Sequence, residues 1–133
     1  MLGELIAEGH GKRGMRRVVG TSPQLVVEVS FEDLTKMLGV DCMNMGTYTS
    51  SPKPDGSLHG EGQGVLASAA GDMVTWKGMG IGRFLEGGAV HYAGTLSYST
   101  ASATFARLNG IAGVFEFDVD AAGNTHSKIW EWK

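Results

Sequence analysis

In the stretch His59-Gly60-Glu61-Gly62-Gln63-Gly64, polar side chains and glycines take strict turns. Successive residues of an extended chain point to opposite faces, so His59, Glu61 and Gln63 share one face and three glycines line the other. A histidine and a carboxylate at i, i+2 have the spacing of a general base and its orienter, although a solvent-facing strand yields the same pattern with no chemistry. Trp76-Lys77-Gly78-Met79-Gly80-Ile81-Gly82-Arg83 repeats the device. Facing glycine columns let a sheet bend sharply or let a large group approach the backbone. The simpler expectation is curvature, with aromatic rings from neighbouring strands laid over the glycines. The functional one is an open cavity wall, with His59 and Glu61 reaching a ligand.

The walls of such a cavity are expected among Tyr48, Trp76, Phe84, Tyr92, Tyr98, Phe115 and Phe117, with Met43, Met45, Met73 and Met79. The same set otherwise makes an ordinary core. Tyr48, Gln63, Trp76, Tyr92, Tyr98 and Phe115 are the expected ligand contacts. Glu28, Glu61 or Glu116 would supply the convergent polar group. A carboxylate turned into an apolar interior has a raised pKa and can act as an acid or base. An enzyme of isomerase or cyclase type would use Glu61 or Glu116 in that way, with His59 or Tyr92 assisting.

Other chemistries find no footing. Neither glycine-rich stretch opens a helix after a strand, so neither is a dinucleotide loop. His10, His59, His91 and His126 are far apart, with no short-range ligand spacing between any two, so no metal site or cofactor is expected. No local signature marks serine or cysteine catalysis, and Cys42, next to Met43 and Met45, reads as a small core residue.

The elements that must hold these residues are strands. About eight strand-like runs follow one another with turn signals between them, the pattern of an all-β sandwich or barrel. Glu4 to Glu8 and Met15 to Val19 read as a first pair joined through His10-Gly11-Lys12, and Leu25, Val27, Val29 and Phe31 share one face of the next strand. Glu32 to Leu38 continues that strand or forms a helical turn, ended by Gly39. Asp41 to Ser51 closes at Pro52-Lys53-Pro54-Asp55-Gly56, which is strong turn chemistry. Leu58 to Ser68, Met73 to Leu85 and Ala89 to Thr100 form a meander. Within it His91, Thr95, Ser97 and Ser99 lie opposite Val90, Tyr92, Leu96 and Tyr98. One short helical turn is expected near residues 102–109, with Phe105 and Leu108 at i, i+3 and Asn109-Gly110 as its stop. Ile111 to Asp120 alternates, with Ile111, Phe115, Phe117 and Val119 on one face, and Lys128 to Lys133 is the last strand. So many long antiparallel strands would expose edges, and closing the sheet removes them. The expected fold is therefore a single all-β domain, residues 1–133, closed into a small barrel whose interior side chains just fill or which holds one small ligand.

Totals bound the partners. At 133 residues the chain makes one domain of common size. Glycine supplies 21 of them, about twice the ordinary share of ~7%. A net charge of −3 argues against nucleic acid, and Lys12-Arg13 with Arg16-Arg17 reads as charge placed to discourage edge-to-edge association. No run approaches the roughly 20 apolar residues of a membrane helix. One cysteine and no leader pattern make a reducing cytoplasm the expected compartment. The amount of sheet surface suggests a homodimer.

Met45-Gly46-Thr47-Tyr48, Asp55-Gly56 with Gly60-Glu61-Gly62-Gln63-Gly64, and Trp76 through Gly82-Arg83-Phe84 carry a resemblance, together with Tyr98 to Ser102, Leu108-Asn109-Gly110 through Val114-Phe115-Glu116, and Trp130-Glu131-Trp132-Lys133. Over nearly its whole length the chain resembles a family of small uncharacterised bacterial proteins. That family looks like the allene-oxide-cyclase-type and lipocalin-like (calycin-type) barrels, which enclose a small hydrophobic ligand or bind one at the mouth. The sequence typical of plant allene oxide cyclases is missing, so their activity is not implied. The leading functional expectation is a barrel that binds a small apolar or amphipathic molecule, followed by the isomerase or cyclase and then by a non-catalytic interaction module.

Overall fold

Eight strands run in chain order around one closed antiparallel barrel in the computed structural model, which describes residues 1–133. They are β1 (Leu2–Gly20), β2 (Val26–Met37), β3 (Val40–Pro52), β4 (Leu58–Ser68), β5 (Met73–Phe84), β6 (Val90–Thr100), β7 (Ala112–Val119) and β8 (Asn124–Trp132). Each pairs with the next, and β8 returns to pair with β1. The closed eight-stranded barrel expected from the sequence is thus the fold. Its few helical residues lie in 3-10 turns at Glu86–Gly88 and Ala106–Gly110, and no helix is long and apolar enough to cross a membrane.

Period-2 alternation sets the faces. In β2 the residues from Val29 to Met37 alternate buried and exposed without a break. Glu32 to Leu38 therefore continues the strand as far as Met37, with Val29, Phe31, Asp33, Thr35 and Met37 inside. Leu38-Gly39 then make a two-residue turn with Met37 paired to Val40. Both turn residues have positive φ, 49° and 82°, the geometry that matches the twist of a hairpin. A leucine is held in that unusual conformation where its side chain packs against the core.

The first two expected strands are one. β1 runs unbroken through His10-Gly11-Lys12, because it is flanked by β2 and β8 and its backbone groups have partners on both sides. Gly11 reads like a turn residue, but a Cβ there would collide with the Glu32 carbonyl oxygen, so close approach of strands is what requires glycine. The register with β2 shifts between Arg13 and Arg16, and beyond the shift Arg17 pairs with Glu28 at 3.1 Å. Leu25 lies just before β2 and is exposed, so it does not join Val29 and Phe31 inside.

Two apolar clusters fill the barrel. At the end bearing the Leu38-Gly39 turn, Met37, Cys42, Leu66, Val74 and Tyr98 pack around Phe105 and Leu108. The expected short helical turn forms as a 3-10 turn at Ala106–Gly110, and its Leu108, with Phe105 just before it, plugs that end, both essentially without exposure. Asn109 ties the connection back by accepting from the Thr100 amide at 2.8 Å and donating to the Thr100 carbonyl at 3.0 Å. Toward the other end Phe31, Leu58, Tyr92, Phe117 and Val119 form the second cluster.

Candidate functional site

Between the clusters lies a cross-strand row in which Phe31 pairs with Gly46, Gly46 with Gly64 and Gly64 with Trp76. The two glycines leave room for the indole. A Cβ at Gly64 would stand 2.5 Å from Trp76 Cε2, and one at Gly46 would stand 2.6 Å from both Trp76 Cζ2 and Phe31 Cε1. Tyr92 uses the same device over Gly82, where a Cβ would meet its Cε1 at 2.5 Å. Aromatic rings laid over glycines thus account for much of the glycine column.

Placed in this way, the indole must find a partner for its N–H. Trp76 Nε1 donates to Asn44 Oδ1 at 2.9 Å. Asn44 Nδ2 then donates to Asp33 Oδ2 at 3.1 Å, across the directly paired positions Asp33 and Asn44. Thr35 Oγ1 donates to Asp33 Oδ1 at 2.5 Å. The indole can only donate, so it fixes the Asn44 amide with its oxygen toward Trp76 and its NH2 toward Asp33. The chain of bonds has a direction and ends on a carboxylate.

Asp33 is the inward carboxylate, 4% exposed. Burial raises its pKa above the ordinary carboxylate value, while the Thr35 and Asn44 hydrogen bonds and the charge of His10 pull it back. It was legible in the sequence: carrying the alternation from Val29 and Phe31 two steps further puts Asp33 and Thr35 on the same inner face. The competing helical-turn reading of Glu32 to Leu38 hid it.

Beside this network is a cavity of about 100 Å³. Phe31, Tyr48, Trp76, Tyr92, Tyr98, Phe115, Phe117, Leu66, Leu96 and Ile129 supply its apolar walls, and Thr35, Asn44 and Ser127 its polar side chains. Gly60, Gly62, Gly78 and Gly80 thin the wall on one side, where Glu61 and Met79 of the outer face also border the space. The Tyr92 hydroxyl donates to Ser50 Oγ at 3.0 Å. Burial pushes the Tyr48 and Tyr98 hydroxyls well above their usual range and also raises that of Tyr92, so all three stay neutral.

Five of the six expected ligand contacts, Tyr48, Trp76, Tyr92, Tyr98 and Phe115, border the cavity. Gln63 does not, because the even-numbered residues of β4 face inward and leave it exposed outside. The same parity turns His59 and Glu61 outward, where they form the expected pair, His59 Nε2 to Glu61 Oε1 at 2.8 Å, on the outer surface. Glu116 is exposed outside beside Lys128, and Glu28 faces Arg17. None of these carboxylates points inward. Met43, Met45 and Met73 are exposed on the outer face, and Phe84 is exposed at the end of β5, which corrects their expected place in the wall. Cys42 is buried as expected. The histidines read as scattered are partly gathered: His10 and His126 stack on the outside with Glu8 beside them, and His91 Nδ1 lies 2.6 Å from Asp118 Oδ1.

No protein-family model matches the chain, and no curated protein matches it in sequence. Solved structures do share the fold. The chain is similar to a conserved protein of unknown function from Rhodopseudomonas palustris, with a TM-score of 0.83, 11% identity, and 98% and 97% of the two chains covered. It is also similar to a beta-barrel like protein from Acinetobacter baumannii, with a TM-score of 0.71, 11% identity, and 100% and 96% covered. An enzyme from Penicillium herquei matches with a TM-score of 0.67, 13% identity, and 96% and 92% covered. At these identities the likeness is one of fold.

Proposed function

We propose that the barrel binds one small, mainly apolar molecule in its interior, with one polar group of the ligand meeting Asn44, Thr35 or Ser127. The observation that carries this reading is the cavity itself, apolar over most of its wall and polar at one patch where Asp33 orients Thr35 and Asn44. Pockets of this type bury an apolar body and fix it through a few placed polar groups. Its size limits the guest. An apolar cavity of roughly 150 Å³ accepts benzene, so about 100 Å³ suits a molecule of that size or smaller.

The isomerase or cyclase reading needs a carboxylate that reaches the substrate. Glu61 borders the cavity only from the outer face, where it is bonded to His59, and Asp33 stands behind Thr35 and Asn44 and acts on a guest through them. That arrangement favours holding a ligand over transferring its protons. The neighbour that is an enzyme shares too little sequence to carry its activity across.

The test is a thermal-shift and Trp-fluorescence titration with phenol, benzene and cyclohexanone as probes. At least one probe should raise Tm in a saturable way, by an amount equivalent to about 2.7 kcal/mol when it is present at 100 times its Kd. Leu96→Trp, which fills the space, should abolish the shift while the far-UV spectrum stays that of a barrel. No shift with any probe, or an equal shift in Leu96→Trp, overturns the reading.

A further inference from the structure

We infer that Glu8, His10 and His126 form a binding site for a divalent transition metal, zinc above all, on the outer face of the ladder that closes the barrel. Two imidazoles and one carboxylate meet across β1 and β8 from opposite parts of the sequence. His10 and His126 are directly paired in register, and Glu8 precedes His10 by two residues on the same face. The rings stack with centroids 4.3 Å apart and planes 13° from parallel. Both Nε2 atoms face one carboxylate oxygen, Glu8 Oε2, at 2.7 Å from His126 and 3.8 Å from His10. All three donor atoms fall within 4.8 Å of one another.

The donor chemistry selects the ion. Two imidazole nitrogens with one carboxylate suit zinc and its late first-row neighbours, whereas calcium and magnesium demand oxygen donors throughout. Tetrahedral zinc at about 2.0–2.1 Å from each donor sets them about 3.3 Å apart. Reaching that geometry requires the rings to splay slightly and Glu8 to withdraw from His126. These side chains are 70%, 39% and 38% exposed for His10, His126 and Glu8, so the adjustment meets no packed neighbour layer. Three protein ligands on an open surface leave a coordination position to water or another donor, as in zinc sites that keep an open position. Lys128, paired in register with Glu8, opposes the cation and weakens its binding. Asp118, paired in register with His126, adds negative charge on the other flank while it holds His91.

Glu8 and His126 are 118 residues apart in sequence, so the unfolded chain holds no comparable site. Binding must therefore stabilise the closed barrel by mass action. Zinc is titrated into untagged, chelator-treated protein by calorimetry, and cobalt is used in parallel to read the coordination from its visible bands. One zinc per chain is expected, with a concentration-dependent rise in Tm reversed by chelator. His10→Ala, at an exposed position that leaves the fold intact by circular dichroism, should weaken binding at least tenfold, and Glu8→Gln should do the same. His59→Ala, which removes a surface histidine with only one carboxylate beside it, should bind as the unaltered protein does. Absence of saturable 1:1 binding, or His10→Ala and Glu8→Gln both binding at full strength, overturns the site.

Discussion

At the scale of single residues, Asp33 carries the most unusual environment in the molecule. Its carboxylate is buried and its pKa raised by that burial, so the folded chain holds this proton more tightly than the unfolded chain does. The associated stability is present at low pH and is lost as pH rises from the ordinary carboxylate range, near 3.9, through the higher native value. Chemical denaturation of the unaltered protein and of Asp33→Asn across that interval should therefore show the unaltered protein losing stability relative to the variant as pH rises. A constant offset is expected as well, because an amide at residue 33 has one acceptor oxygen where the carboxylate has two and cannot accept from both Asn44 and Thr35, and a parallel pair of curves would refute the assignment. The inner and outer faces of β7 and β6 were legible residue by residue, since Phe115, Phe117 and Val119 on one strand and Tyr92, Leu96 and Tyr98 on the other alternate cleanly with polar partners. The inner carboxylate obeys the same alternation, but a charged side chain on an inner face breaks the apolar signal that marks such a face, and Glu32 to Leu38 also fits a helical turn.

Elements owe their geometry to where glycine is unavoidable and where it is not. Gly64→Ala forces a methyl group against Trp76 and the Met45 carbonyl oxygen, one of them unyielding backbone, and should cost about 1–3 kcal/mol or more as overpacking. Gly110→Ala meets nothing within 4 Å and should leave Tm within a degree or two of the unaltered protein. Equal melting temperatures for both variants would show that the indole does not lie over β4. Most strands could be read from alternation and turn chemistry, as at Asp55-Gly56, where the Asp55 carboxylate takes both the Ser57 amide at 3.0 Å and its hydroxyl at 2.6 Å. β1 resisted that reading. Its polar, glycine-bearing middle resembles a turn, and only a partner strand from the far end of the sequence, Asn124–Trp132, makes it an interior member of the sheet.

For the molecule as a whole, the topology divides its pairings into two kinds. Seven ladders join strands adjacent in sequence, and one, β1 to β8, joins strands at opposite extremes of the order. Closing a long loop costs more conformational entropy than zipping a hairpin, so the seven are expected to form first and the eighth last. Native-state hydrogen exchange should accordingly find the β8 amides that bond to β1 opening at lower free energy than those between β3 and β4, and uniform protection around the ring would contradict this order. A contact made after the rate-limiting step leaves the speed of assembly unchanged and acts on the rate of opening. Whatever strengthens that late-made ladder, whether a shorter turn, a cross-link or a captured ion, therefore lengthens the lifetime of the shut ring without hastening its birth.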